Sequence, residues 1–269
     1  MIKVSVLGCG WLGLPLAEFL LEKDFYVKGS TTSAEKLLVL EEKGIEPFLL
    51  DFQPEVPEPY RQELREFLQS DILVINIPPR LATQGNDFHI RQITHLLHQL
   101  PQTTPNVIYV SSTSVYPDAN QTATEVSAVI AGNALVEAEK IVQNAVPEST
   151  ILRCGGLMGY NRIPGKYVAG KTINTGQVPV NFVHRDDVIR IIYEIIRQEK
   201  WGQTYNVVAP QHPIRREVYA QNVRDFGFEP PVYDDSPIPA HKVINGDKLM
   251  RELHYTFLFP DPVTFSFQP

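Results

Sequence analysis

Three glycines are the first residues in this chain whose type and spacing point to chemistry. Gly8, Gly10 and Gly13, in GCGWLG, directly follow the apolar run Ile2, Val4, Val6 and Leu7, and they precede Leu14, Leu16, Ala17, Leu20 and Leu21 at helical spacing. A strand that turns sharply into a helix needs a residue without Cβ at the bend (Gly8). It needs a second where a pyrophosphate meets the backbone (Gly10) and a third where helix and sheet lie close (Gly13). The N–H groups at the helix start, with the positive end of the helix dipole, then hold the anion. A glycine-rich turn with no ligand is the plain alternative, yet three glycines cost chain entropy unless something requires them. In this setting GxGxxG points to dinucleotide binding, with Trp11 and Leu12 counted among the cofactor-binding residues.

The end of the second expected strand, residues 25–31, bears on which dinucleotide. NAD-binding proteins of this kind place Asp or Glu there to accept from the ribose hydroxyls. Here the stretch reads Gly29, Ser30, Thr31, Thr32, Ser33, with no acid between Asp24 and Glu35. The hydroxyls of Thr31, Thr32 and Ser33, with Lys36 one helical turn on, suit a 2′-phosphate and favour NADP, with NAD as the alternative. The same residues could merely cap the next helix, leaving Lys36 solvated. Asp51 and Phe52, after the third strand, are expected near the adenine, with a plain loop Asp as the alternative, and Ile77 and Pro78, after the fourth, join the expected cofactor contacts.

These residues must be positioned by alternating strands and helices. Strands are expected over 45–50, 72–77 (ILVINI, suited to a strand covered on both faces), 106–111 and 149–154, with helices over 33–43, 86–100 and 129–146. That alternation implies a parallel, doubly wound α/β sheet with right-handed crossovers. After Cys154 the texture turns to Gly, Asn and Pro without a sustained period, as in a loop over a ligand crevice. Regularity returns with a helix over 186–198, a strand over 204–208 and a helix over 214–226, before a proline-rich tail. Residues 1–154, completed by about 180–209, read as a dinucleotide-binding domain, and 155–179 with 210–269 as a smaller substrate-binding lobe.

With 269 residues, 43% of them apolar, the chain can bury a full core. A net charge of −7 argues against nucleic acid as a principal partner, because phosphate backbones call for clustered Lys and Arg. Two cysteines, Cys9 and Cys154, do not make a secreted disulfide framework and read as small buried residues. The start of the chain enters a strand without a signal-peptide pattern, and no apolar run reaches membrane-spanning length, so a cytoplasmic protein without a membrane partner is expected. No metal-ligand set is assigned.

Across nearly its whole length the chain resembles the extended short-chain dehydrogenase/reductases, including the nucleotide-sugar epimerases and dehydratases. The resemblance rests on GCGWLG, VSSTSVYP (110–117), ILRCGGLMG (151–159), VNFVHRDDV (180–188) and GQTYNVV (202–208). It implies an NAD(P) cofactor, with Ser112 as the catalytic Ser/Thr that orients the reacting oxygen and Thr113 beside it. The family's tyrosine and lysine, whose ammonium lowers the phenol pKa for proton transfer, fall on Ala131 and Leu135, while Glu139 keeps the later acid. Leu7 stands at the first glycine of the family's usual GxxGxxG. These departures resemble the family's atypical branch, which retains cofactor residues without the pair.

The one YxxxK, Tyr167 to Lys171, lies after the sixth strand and does not align with the pair. Tyr116, Tyr160, Lys166, Tyr167 and His184 are candidate substitutes, Tyr116 being counted as catalytic, although each could instead be structural. His184, Arg185, Asp186 and Asp187 could simply open the following helix. Arg162, Asn181 and His184 are the expected substrate contacts. The resemblance implies an NADP-dependent oxidoreductase or epimerase/dehydratase-like protein acting on a nucleotide sugar or similar polar metabolite. A non-catalytic NADP-binding regulator is the alternative, and a fold that has lost its cofactor is a third. Family members also dimerise through helices that here fall near 86–100 and 129–146, where Ile90, Ile93, Leu96, Leu97 and Leu100 form an apolar stripe.

Overall fold

The protein was analysed as a computed structural model that describes residues 1–51, 59–103, 105–234 and 237–268. Val4, Val6 and Leu7 bury the strand β1 (Lys3–Leu7), and Leu16, Ala17 and Leu20 bury one face of α1 (Gly13–Leu21). There follow β2 (Tyr26–Thr31), α2 (Glu35–Glu42), β3 (Glu46–Leu49), α3 (Pro59–Leu68), β4 (Ile72–Ile75), α4 (Leu81–Gln84), α5 (Asn86–His98) and β5 (Asn106–Ser112). Then come β6 (Gln121–Ala123), α6 (Ala134–Ala145), β7 (Thr150–Cys154), β8 (Gly156–Met158), β9 (Thr172–Ile173), β10 (Phe182–His184) and α7 (Arg185–Arg197). The chain ends with β11 (Thr204–Val207), α8 (Arg215–Phe226), β12 (Val232–Tyr233), β13 (Lys242–Ile244) and α9 (Asp247–Leu253).

Seven strands form one sheet in the order β11-β7-β5-β4-β1-β2-β3. Val4 pairs in parallel with Val27 on one side and Ile72 on the other. The order reverses between β1 and β4, which is where doubly wound folds open a crevice at the strands' carboxyl ends. All four residues of β4 are buried, as its unbroken apolar run requires.

The chain divides into two compact units. The first comprises Met1–Ser111, Ile130–Leu152 and Ile192–Thr204. It holds α3, a helix that the sequence pattern does not predict. Leu64, Phe67 and Leu68 bury this helix, and the Lys28 ammonium donates to the carbonyls of Glu66 and Gln69 at its C-terminal end, where cations are favoured. The α5 stripe is core: Ile93, Leu96 and Leu97 are buried, and Ile90 and Leu100 are half-buried. The helix expected from residue 129 begins instead at Ala134. Gly132 takes a left-handed φ of 71°, and Asn133 caps the helix by accepting from the N–H groups of Leu135 and Val136. The fourth strand, expected to run to residue 77, ends at Ile75; Asn76 still donates its N–H to the Leu7 carbonyl, and its side-chain amide donates to the Gly8 carbonyl.

The second unit comprises Ser112–Val129, Arg153–Ile191 and Tyr205–Pro269. Its two-stranded pieces, β8 with β10, β9 with β12 and β13 with β6, are all parallel and too short to show period in sequence. Two residues at the junction of β10 and α7 tie down the tail. The buried carboxylate of Asp187 accepts from the Tyr255 hydroxyl at 2.7 Å and from the N–H groups of Leu258 and Phe259 at 2.8 and 3.1 Å. His184 is buried against the rings of Phe259 and Phe265. Its Nδ1 accepts from the Asp186 N–H, so Nε2 carries the proton and donates to the Ser266 carbonyl at 2.8 Å.

Burial holds the imidazoles of His184 and His89 below the ordinary histidine pKa. Unfolded, each takes up a proton near about 6.5, whereas folded it does so only at lower pH. The unfolded state therefore binds more protons in that window, and stability falls as the pH drops below about 6.5. We expect the urea midpoint to decrease between about pH 7.5 and about pH 5, with a shallower decrease in His184→Gln. A midpoint that does not move with pH would show that these imidazoles are not kept neutral by folding.

Candidate functional site

In the first unit the glycines sit where β1 gives way to α1. Gly8 has φ 99°, and a Cβ there would lie 2.6 Å from the Asn76 carbonyl oxygen. A Cβ on Gly13 would lie 2.1 Å from the Gly8 carbonyl oxygen. Neither position admits a side chain. A Cβ on Gly10, by contrast, meets nothing within 4 Å, and Gly10 is exposed. The loop is held from two sides. The Ser30 hydroxyl accepts from the Gly8 N–H at 2.8 Å, the Ser30 carbonyl accepts from the Cys9 N–H at 2.8 Å, and the Asn76 amide donates to the Gly8 carbonyl at 3.2 Å. No side chain caps α1, and no acid stands in its first turn. Its N-terminus thus keeps a positive potential.

Beyond Ser30, Thr31 is buried, and its hydroxyl accepts from the Ser33 N–H at 3.2 Å. Thr32 and Lys36 are exposed. The Ser33 hydroxyl donates to the Glu35 carboxylate at 2.8 Å, so an acid lies against the hydroxyl cluster after all. Ile77 is half-buried with its Cγ2 close to Gly8, and Pro78 is exposed. Asp51 is exposed, and Phe52 lies outside the described residues.

In the second unit, Ser112 caps a single 3-10 turn, Thr113–Val115, by accepting from the Ser114 N–H at 3.1 Å. Its acceptor capacity is partly used while its O–H can still donate, and the residue is half-buried. Thr113 is buried. Tyr116 is completely buried: its hydroxyl donates to the Asn206 side chain and accepts from the Arg153 guanidinium, each at 2.8 Å. Burial raises the Tyr116 phenol pKa, while Arg153 and Asn206 oppose the rise. Arg153 also donates to the Glu125 carbonyl, the Glu125 carboxylate accepts from the Asn206 N–H, and Lys242 donates to the Tyr116 carbonyl. These bonds fix the turn that carries Ser112.

Comparison with known proteins places this geometry. No protein-family model matches the sequence. Protein YeeZ of Escherichia coli (strain K12) is 36% identical over 275 residues that cover the whole of both chains. The chain belongs to the YeeZ family. Among solved structures, UDP-glucose 4-epimerase from Thermotoga maritima with UDP-glucose superposes with a TM-score of 0.77 at 14% identity, over 96% of this chain and 94% of that one. The dTDP-glucose 4,6-dehydratase from Bacillus anthracis in complex with NAD gives 0.75 at 14%, over 98% and 94%. The fold of this YeeZ-family chain is therefore that of the extended short-chain dehydrogenase/reductases, epimerase/dehydratase-like, as the sequence motifs implied.

Other expected residues of the YeeZ-family chain have the following local surroundings. Ala131 is exposed ahead of α6, and Leu135 is buried in its first turn. Glu139 is buried and accepts from the Ser111 hydroxyl. In YVAGK, Lys171 donates to the Tyr167 carbonyl and not to its phenol. The Asn181 side chain bridges β13, donating to the Lys242 carbonyl and accepting from the Ile244 N–H. The Tyr160 hydroxyl donates to Asp186 at 2.8 Å, with Arg185 over its ring. Arg162 is half-buried, and burial lowers its pKa. Cys9 and Cys154 are free thiols that burial pushes up to about 12. Among the described residues no cluster of His, Cys, Asp or Glu could hold a metal, and no helix is long and apolar enough to cross a membrane.

Sequence reasoning missed Ser30, Asn76, Arg153 and Asn206. Their signal was a polar residue in or just after an apolar strand, which a buried backbone must then satisfy. Ser30→Ala leaves the Gly8 N–H without its acceptor and is expected to cost about 1–3 kcal/mol. Gly13→Ala, which cannot fit without moving the loop, is expected to cost a similar amount, about 1–3 kcal/mol. Urea denaturation checks both, and wild-type stability in Gly13→Ala would mean that the loop is not this tightly closed.

Proposed function

We propose that the chain is an NADP-dependent oxidoreductase of the epimerase/dehydratase kind, acting on a nucleotide sugar or similar polar metabolite. One observation carries this: of the three loop glycines, Gly8 and Gly13 are filled by the protein's own backbone, while Gly10 faces open space. That is the arrangement a pyrophosphate needs in order to approach the chain. Trp11, Leu12, Ile77 and Pro78 line the same loop or lie after β4 in this reading, with Asp51 and Phe52 toward the adenine. Thr31, Thr32, Ser33 and Lys36 would take the 2′-phosphate once Ser33 exchanges its bond to Glu35. The solved neighbours with UDP-glucose and with NAD support the ligand classes.

For the reaction, Ser112 is assigned to the substrate oxygen because its O–H can donate while its lone pair holds the turn, and Thr113 stands next to it. Tyr116, buried and doubly bonded, serves to hold that turn. Arg162, with residues 155–179 and 210–269, belongs to the substrate side of this reading. Asn181 and His184 brace it. A second reading, a non-catalytic NADP-binding regulator, is favoured by Ala131 and Leu135, which offer no proton-transfer group at the family's tyrosine and lysine positions.

Titration with NADPH and NADH, followed by Trp11 fluorescence, tests the cofactor assignment. We expect NADPH to bind at least tenfold more tightly, about 1.4 kcal/mol, and Glu35→Gln to tighten NADPH further by removing like charge. Gly10→Val should abolish both. A wild-type preference for NADH overturns the NADP assignment, and binding of neither cofactor overturns the function. Hydride transfer with nucleotide sugars that is lost in Ser112→Ala favours the enzyme. Cofactor-dependent binding to a protein partner with no hydride transfer to any substrate favours the regulator.

A further inference from the structure

Helix α8 carries polar groups that neither the cofactor loop nor Ser112 uses. Arg215, Val218, Tyr219 and Asn222 follow one another at helical spacing on one face. Val218 and Tyr219 join Val180 in a buried apolar cluster edged by Val168, Ile173, Phe182 and Val263. At this rim stands the half-buried Arg215 guanidinium, beside the Tyr219 phenol. Its backbone N–H is fixed to the Val178 carbonyl, but its Nε is buried with no acceptor, and no acidic side chain among the described residues pairs with it. The neighbouring Arg216 lies over the Tyr233 ring at 4.2 Å.

Asn222 supplies a second, independent observation. It is 1% exposed. Its Oδ1 accepts from the Gly165 N–H at 3.0 Å, which fixes the orientation of the amide, and its buried Nδ2 has no acceptor. Buried donors are normally satisfied, and a desolvated guanidinium normally has a counter-charge. Here one helix face holds two buried N–H donors without acceptors, Arg215 Nε and Asn222 Nδ2, about 10 Å apart along the axis at seven residues, while the Arg215 guanidinium also bonds the Tyr219 hydroxyl.

We propose that Arg215 and Tyr219 form an anion-binding site in the second unit, which takes the phosphate or carboxylate of an elongated polar metabolite whose uncharged oxygen reaches Asn222. Arg215 supplies a charge-assisted pair of N–H donors, the strongest and most directional contact available for such a group. Tyr219 adds its hydroxyl. The site goes beyond the cofactor assignment and does not depend on it.

Calorimetric titration of the full chain with inorganic pyrophosphate and, separately, with succinate tests the proposal. NADPH is kept saturating so that the glycine loop is filled, and ionic strength is matched throughout. Pyrophosphate binding would identify the anion as phosphate-like, and succinate binding as a carboxylate. We expect the bound anion to be held at least tenfold more weakly by Arg215→Gln, with partial recovery in Arg215→Lys and no change in Arg216→Gln. NADPH affinity should be unaltered in all three, which also reports that they are folded. The proposal is overturned if neither anion binds the wild type, or if Arg215→Gln and Arg215→Lys bind it as tightly as wild type. Arg215-dependent anion binding in a protein that takes up no NADPH would leave this site standing and remove the function proposed above.

Discussion

One serine holds the glycine loop between β1 and α1 in shape. Within the loop the Gly10 N–H is bonded to the Gly8 carbonyl at 2.9 Å, and the rest of the loop's shape comes from neighbours. Ser30 supplies this with two oxygens: its hydroxyl takes the Gly8 N–H and its carbonyl takes the Cys9 N–H. Asn76 closes the other side. Because β1 lies between β2 and β4, both restraints come from strands already registered to it. The missing Cβ of Gly29 completes the fit, since one there would lie 2.8 Å from the Cys9 sulfur. The glycines are thus the visible part of a joint made by three strands.

The second unit meets a similar demand with charge. Arg153 is buried in a strand, a costly placement unless its donors are matched, and Tyr116 and Glu125 accept from it. Asn206 then satisfies the tyrosine and is itself held by Glu125 and by the Asn245 carbonyl. Removing any member would strand a buried polar group, so this network specifies a single position for the turn above it. Ser112 inherits that rigidity, while its own side chain keeps a donor in reserve.

Much of this was legible in the order of residues. Apolar runs such as ILVI, buried on both faces, and glycines between a strand and a helix leave little freedom, and they yielded the sheet and the loop. The short parallel strands of the second unit were not legible, because two or three residues carry no period. Helix α3 was hidden because part of what fixes it is distant, the Lys28 ammonium on β2. The start of α6 was misplaced because a left-handed glycine and an asparagine cap override a continuous helical pattern. After β2, counting acids up to Glu35 suggested a stretch free of negative charge. The turn ahead of α2 lets the Ser33 hydroxyl donate to the Glu35 carboxylate two residues on, and the count of acids does not show that.

Asp187 bears on how the protein is made. Its carboxylate is satisfied by backbone groups 71 and 72 residues further along, and His184 leans on a carbonyl 82 residues away. During synthesis both side chains leave the ribosome long before their partners exist. The second unit therefore cannot complete its hydrogen bonding while the chain is still growing, whereas β1, β2 and β4, with the loop they hold, are all present once the first third has emerged. The order of translation thus separates an early glycine loop from a late-closing tail, and in any nascent intermediate the Asp187 carboxylate stays in water until Leu258 and Phe259 arrive.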